Sequence, residues 1–207
     1  MLSQRKNVET LTQLVNAGVI SGVEVLNAML SSKIKPDIPA IRVIEPYTLF
    51  DGEDAIAIAD PDVPFAVVEM GFHGSLKGNS GLVFQKDKAR KFVEKVAGDD
   101  ADDDDFDIVS RGVLTEIGNI VLNRVMGAIS NALAVHLDYV VPNFFQGDLD
   151  RLWQRSPDKA GIIAATQFSV DDFAAEGKIV VFFDEASFST LMSLIEEDAE
   201  GKGAASE

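Results

Sequence analysis

The chain has no cysteine. Disulfides are excluded, and so are thiolate metal sites. Imidazole is almost as scarce: only His73 and His136 are available. A lone histidine is far more often structural or exposed than catalytic, so neither is taken as a site residue. No apolar run approaches the ~20 residues needed to span a bilayer. The first ten residues, MLSQRKNVET, lack the apolar core of a signal peptide. A cytoplasmic protein is expected. Positive charge is in short supply, with 18 Lys and Arg against 34 Asp and Glu and a net charge of −16. Such a field repels phosphate backbones and anionic lipid surfaces, so neither nucleic acid nor a membrane is an expected partner. No cluster of Arg and Lys forms a pocket for a small, strongly anionic substrate.

What is present suits a folded protein. The 207 residues are 46% hydrophobic, enough to bury a core without staples. Leu11, Leu14, Val15, Val19, Val23 and Leu26 recur at helical spacing and predict a helix over 9–32. KIKPDIP then breaks it, and strands are expected at 40–44, 64–72 and 81–85. The glycine-rich HGSLKGNS between the last two does not match a phosphate-binding loop and reads as a hairpin. A helix over 86–98 follows. A second long helix is expected over 108–134. After it come HLDYVVP as a strand, an irregular region around NFFQGDLDRLWQRSPDKA, strands at 161–170 and 177–183, and a helix from DEASFSTLMSLIEE. Within the irregular region Trp153, Phe144 and Phe145 read as a satellite core rather than a docking patch.

This order occurs twice, which signals an internal repeat. Asn16 is followed by 22 residues and Pro39, and Asn119 by 22 residues and Pro142, at an offset of 103. Each half alone would leave its sheet and helix faces exposed. The fold class predicted is therefore α+β: one pseudo-two-fold domain over 1–198, its long helices packed on a shared, mostly antiparallel sheet. The repeats are 9–98 and 108–198. The run DDADDDDFD at 99–107 joins them; it lacks the glycine and the distant glutamate of a calcium loop and reads as a solvated linker, not a metal site. Residues 199–207, polar and small, are expected to be a disordered tail.

On the second long helix Leu114, Ile117, Val121, Val125, Ala128 and Ala132 form the apolar face. Gly112, Glu116, Asn119, Asn123 and Ser130 lie on another. Residues three and four apart are neighbours on a helix, so Glu116 and Asn119 point the same way. Asn is a modest helix former, and its repeated use here has no local benefit.

Glu116-x-x-Asn119, with 22 residues before Pro142, resembles the CheC/CheX/FliY family of chemotaxis phosphatases. Asn16 with Pro39 is similar to the same pattern, and the resemblance covers nearly the whole chain. Two positions depart from it. Gly112 stands where the family has Asp or Ser, and Gln13 replaces the glutamate of the first copy, with Glu9 four residues before it.

The resemblance implies a hydrolase acting on the aspartyl phosphate of a phosphorylated CheY-like receiver. Asn119 would position the water, and Glu116 would pair with the receiver's lysine near the phosphate. Gln13 and Asn16 would form a second, degenerate site. The resemblance implies no metal or cofactor of the chain's own, since the receiver brings its Mg²⁺. A CheD-like protein is a further partner it suggests. The alternative is a non-catalytic adaptor of the same fold, binding a receiver or a CheD-like partner. Monomer and homodimer both occur in the family, so oligomeric state stays open.

Overall fold

In a computed structural model, residues 2–30, 33–44, 64–97, 106–147, 160–170 and 173–204 are described. The first long helix is α1 (Leu2–Met29). Leu11, Val15, Val19, Val23 and Leu26 are all buried, as their spacing predicts. Asn27 ends the helix by clamping the next strand. Its Nδ2 donates to the Ile34 carbonyl at 2.8 Å, and its Oδ1 accepts from the Ile34 N–H at 2.6 Å. β1 (Ile34–Ile44) therefore starts six residues earlier than the sequence suggests. The prolines of KIKPDIP do not end the structure, because among the described residues β1 pairs on one side only, with β6, and its register slips between Asp37 and Ala40. Edge strands and bulges are where proline is tolerated.

β2 (Phe65–Gly74) and β3 (Gly78–Gln85) form a hairpin. The turn opens at Gly74, whose φ of 122° favours glycine. α2 (Lys86–Ala97) follows. The second long helix, α3, spans Phe106–Ala132. It ends in a reversal at Ala134, with φ 52°, where the Val135 N–H donates back to the Ser130 carbonyl at 2.9 Å. β4 (Leu137–Tyr139) and β5 (Asn143–Gly147) come next. β5 lies inside the stretch expected to be irregular. Phe144 and Phe145 alternate across its two faces, the first joining the main core and the second a smaller cluster. Trp153 lies outside the described residues, as do 99–105 of the acidic run. β6 (Ala160–Val170) and β7 (Phe173–Phe183) form the last hairpin. α4 (Glu185–Ala204) starts from Asp184, whose Oδ1 accepts from the Ser187 N–H at 2.8 Å. It continues past 198 into part of the tail expected to be disordered. Alanine and glutamate in EEDAEGKGAA favour helix against the cost of Gly201 and Gly203.

Among the described residues seven strands make one sheet, in the order β1-β6-β7-β3-β2-β4, with β5 also on β2. All pairings are antiparallel. The repeat is visible in this order. The offset of 103 carries Ile34 to Leu137 and Ile44 to Gly147, so β4 and β5 together are the counterpart of β1. Pro39 falls at the β1 register slip, and Pro142 in the break between β4 and β5. Each first strand is exchanged: β1 pairs with β6 of the second half, and β4 and β5 pair with β2 of the first.

The helices cover one sheet face. Val68, Met70, Phe72, Leu82, Phe84, Ile179, Val181 and Phe183 point into a single core with α1–α4. α3 sits closely on β2, since a Cβ on Gly118 would lie 2.5 Å from the Val68 side chain. α1 and α3 run antiparallel and share a contact in which Gly18 faces Val125 and Gly22 faces Val121. The offset of 103 exchanges these two contacts, so the helix pair carries the pseudo-two-fold as well.

Candidate functional site

Packing on two sides decides which face of α3 is free. Val121, Leu122, Val125, Met126 and Ile129 are buried between α1 and the sheet. The remaining stripe carries Gly112 and Glu116, both exposed, and Asn119 and Asn123, both half-buried. The helix thus brings the two predicted site residues, Glu116 and Asn119, together at one helical turn's separation on the outer surface. Ser130, assigned to the same stripe by spacing, is instead buried and donates to the Gly127 carbonyl at 3.2 Å.

A hydrogen bond organises the stripe. Asn123 Nδ2 donates to the Asn119 backbone carbonyl at 2.8 Å and to Asn119 Oδ1 at 2.7 Å. The sequence places Asn123 on this face but gives it no role. The signal was an i, i+4 asparagine pair, a spacing at which two carboxamides on a helix can bond.

The first copy occupies the equivalent place on α1. Gln13 is exposed and Asn16 half-buried. The counterpart of Asn123 is Ile20, which is 50% exposed and has no side-chain donor. Gly112 has open space around it, with nothing within 4 Å of an added Cβ. A bulkier residue there would meet no obstacle.

Near the N-terminus of α3, the Arg111 guanidinium lies 5.8 Å from the centre of the Phe144 ring. It tethers the start of the helix to β5. Ile108 and Val109 are exposed at 72% and 36%, and Val109 lies two turns before Glu116 on the same stripe.

His73 and His136 lie elsewhere, both exposed, the first on β2 and the second just before β4. They flank Asp138, at 3.7 Å from His73 Nδ1 and 3.4 Å from His136 Nε2. Among the described residues no group of three or more His, Asp or Glu could hold a metal ion. No described helix is long and apolar enough to cross a membrane.

The sequence matches no family model and no curated protein. Solved structures do match. Thermotoga maritima FliY aligns over 93% of this chain and 96% of its own, at 13% identity and a TM-score of 0.67. A FliM–SpeE complex from H. pylori gives the same coverage and TM-score at 10% identity. The CheX–CheY–BeF3–Mg²⁺ complex from Borrelia burgdorferi aligns over 83% of this chain and 97% of that one, at 19% identity and a TM-score of 0.50. With four helices on one face of an antiparallel sheet, the chain has the fold shared by FliY, the FliM middle domain and CheX, that of the CheC/CheX/FliY family.

Proposed function

We propose that the chain hydrolyses the aspartyl phosphate of a CheY-like receiver domain, using Glu116 and Asn119 on α3. The observation that carries this reading is the placement of the two side chains. They stand one turn apart on a helix, Glu116 exposed and Asn119 half-buried, with no enclosing pocket around them among the described residues. A small substrate would be poorly held there. A folded partner that carries its own phosphate pocket can lay that pocket over the helix. The exposed Ile108 and Val109 supply apolar surface for such docking.

The chemistry asks little of the docking protein. An acyl phosphate is already labile, and the receiver supplies Mg²⁺. Asn119 accepts a hydrogen bond from a water and holds it in line with the phosphorus. The water oxygen bonds to phosphorus as the bond to the aspartyl oxygen breaks, leaving free carboxylate and inorganic phosphate. An uncharged carboxamide does not repel the phosphoryl group. Glu116 pairs with the receiver's lysine and fixes the complex. The solved complex of CheX with CheY supports a receiver as partner. Release of phosphate from phosphorylated receivers, with and without the protein, tests the reading. Unchanged dephosphorylation across a panel of receivers from the same genome would overturn it.

A second reading, a binding module without catalysis, draws on two observations. The fold is shared with FliM, solved in complex with SpeE. The first copy has Gln13 in place of the glutamate, and Gly112 occupies the position of the family's Asp or Ser. A receiver that binds tightly and keeps its phosphate would favour this reading.

A further inference from the structure

We infer that Asn123 is a positioning residue that sets the polarity of the Asn119 carboxamide, presenting its oxygen and not its nitrogen to the attacking water. The inference rests on the phosphatase reading above.

The geometry fixes which end of each amide is which. Asn123 places one atom against two atoms of Asn119, at 2.8 Å from the backbone carbonyl oxygen and 2.7 Å from the end of the side chain. A backbone carbonyl can only accept. The Asn123 atom against it must therefore be the NH₂ group. That same NH₂ also meets the Asn119 side chain, so the atom it meets there must be the acceptor, Oδ1. A flip of either amide would set two acceptors or two donors against each other. The backbone of α3 thus dictates the orientation of Asn123, and Asn123 dictates that of Asn119.

The consequence is chemical. An sp² oxygen has two lone pairs, and Asn123 takes one. The other is left to accept from a water, on the half-exposed side of the residue. A water that donates to a carbonyl keeps its own lone pairs for attack on phosphorus. Were the amide reversed, Nδ2 would donate to the water and occupy a lone pair. An untethered asparagine samples both states and loses side-chain entropy when a water is bound. The second copy has this tether, whereas in the first Ile20 stands where Asn123 would be.

The test uses the full-length protein and a CheY-like receiver phosphorylated by acetyl phosphate, with the beryllofluoride-loaded receiver as the probe for binding. Asn123→Ile, the residue of the first copy, should lower kcat about tenfold while KM and affinity for the beryllofluoride form stay within about twofold. Asn123→Asp removes the donor at nearly constant shape and should also lower kcat. Asn123→Gln keeps an NH₂ donor and should recover more turnover than either. Melting temperatures separate these effects from unfolding. An active wild type with unchanged kcat in Asn123→Ile, or a loss confined to binding, overturns the positioning role alone. A wild type that dephosphorylates no receiver overturns the phosphatase reading and this inference with it.

Discussion

Gly18 and Val125 meet across the α1–α3 interface with no space between their backbones: a Cβ on Gly18 would lie 2.4 Å from the Val125 Cα. Backbone cannot move aside as a flexible side chain can. Gly18→Ala gains about 1 kcal/mol of helix propensity but must push the two helices apart. Overpacking a core of this kind costs about 1–3 kcal/mol. The expected outcome is a lower melting temperature and, through movement of α3, loss of the proposed phosphatase activity. Gly22→Ala faces the Val121 Cα at 3.1 Å and should be milder. Denaturant melts of the two variants check the order, and a Gly18→Ala protein as stable as wild type would contradict the close contact.

Gly112 is the opposite case. It is helical and exposed, and an added Cβ meets nothing within 4 Å. Gly112→Ala should raise stability by about 0.5–1 kcal/mol, because it removes backbone entropy from the unfolded chain. The same position lies one turn before Glu116, so Gly112→Ser tests whether a hydroxyl there tightens receiver binding. Stability should rise less for Ser than for Ala, in line with their helix propensities.

Lys178 lies on β7 in register with Val83 of β3 and Ala165 of β6. It points to the same sheet face as Val180 and Phe182 of the smaller apolar cluster, two and four residues on. Burial pushes its ammonium below the usual lysine range, against a smaller opposing effect of the Glu176 charge. The folded state therefore holds the proton less firmly than the unfolded chain does. Below both pKa values the charge costs stability, and that cost disappears as pH rises from the folded value to the unfolded one near 10.4. Lys178→Met should melt higher than wild type at pH 7, with the gap narrowing toward pH 10. A variant that melts lower at pH 7 would show that the ammonium stabilises the fold.

How far the sequence carried the fold follows from which signals were local. Helical spacing located α1 and α3 because Leu11, Val15 and Val19, or Ile117, Val121 and Val125, recur at one period and are buried on one face. Pro36 and Pro39 look like breakers and shorten β1 in the sequence; only pairing shows it to be a strand with a register slip, bound among the described residues on one side alone. β5 was missed because NFFQG is short and lies beside a loop, and its partner β2 is far away in sequence. At the site, the stripe of Glu116 and Asn119 was legible from spacing. The direction of the Asn123 bond was not, since it depends on one backbone carbonyl. Ser130 was misplaced because a helical wheel does not show where α3 sinks into the core.

The exchanged strands bear on whether the halves can fold apart. Among the described residues β1 pairs with no strand but β6, and β4 and β5 with no strand but β2. A fragment of residues 1–100 would leave β1 without its partner and β2 with one edge bare, and it would expose the α1 face that Val121 and Val125 cover. A fragment of 101–207 suffers the mirror-image loss. Each should be poorly folded alone, and mixing the two should recover helical signal and a cooperative melt. Two monomeric fragments with independent sharp transitions would contradict this.

On the proposed mechanism, two of the positions at which the copies differ matter in different ways. Gln13 replaces Glu116, so the first copy lacks a charge to pair with a receiver lysine; a charge-assisted bond is worth about 1.5–3 kcal/mol, and its absence weakens binding tenfold or more. Ile20 replaces Asn123, so Asn16 lacks the donor that orients Asn119. Binding and turnover should therefore be restored by different substitutions. Asn119→Ala alone should remove nearly all phosphatase activity, and Asn16→Ala alone should change little. In the Asn119→Ala background, Gln13→Glu should recover receiver binding at α1 with slow turnover. Adding Ile20→Asn should then raise kcat several-fold with little further change in KM, because it orients a water without touching the receiver. Saturation kinetics of phosphate release resolve the two steps. If Ile20→Asn raised affinity and left kcat alone, position 123 would act in docking and not in holding the carboxamide; if Asn16→Ala were the more damaging single change, α1 and not α3 would carry the working copy.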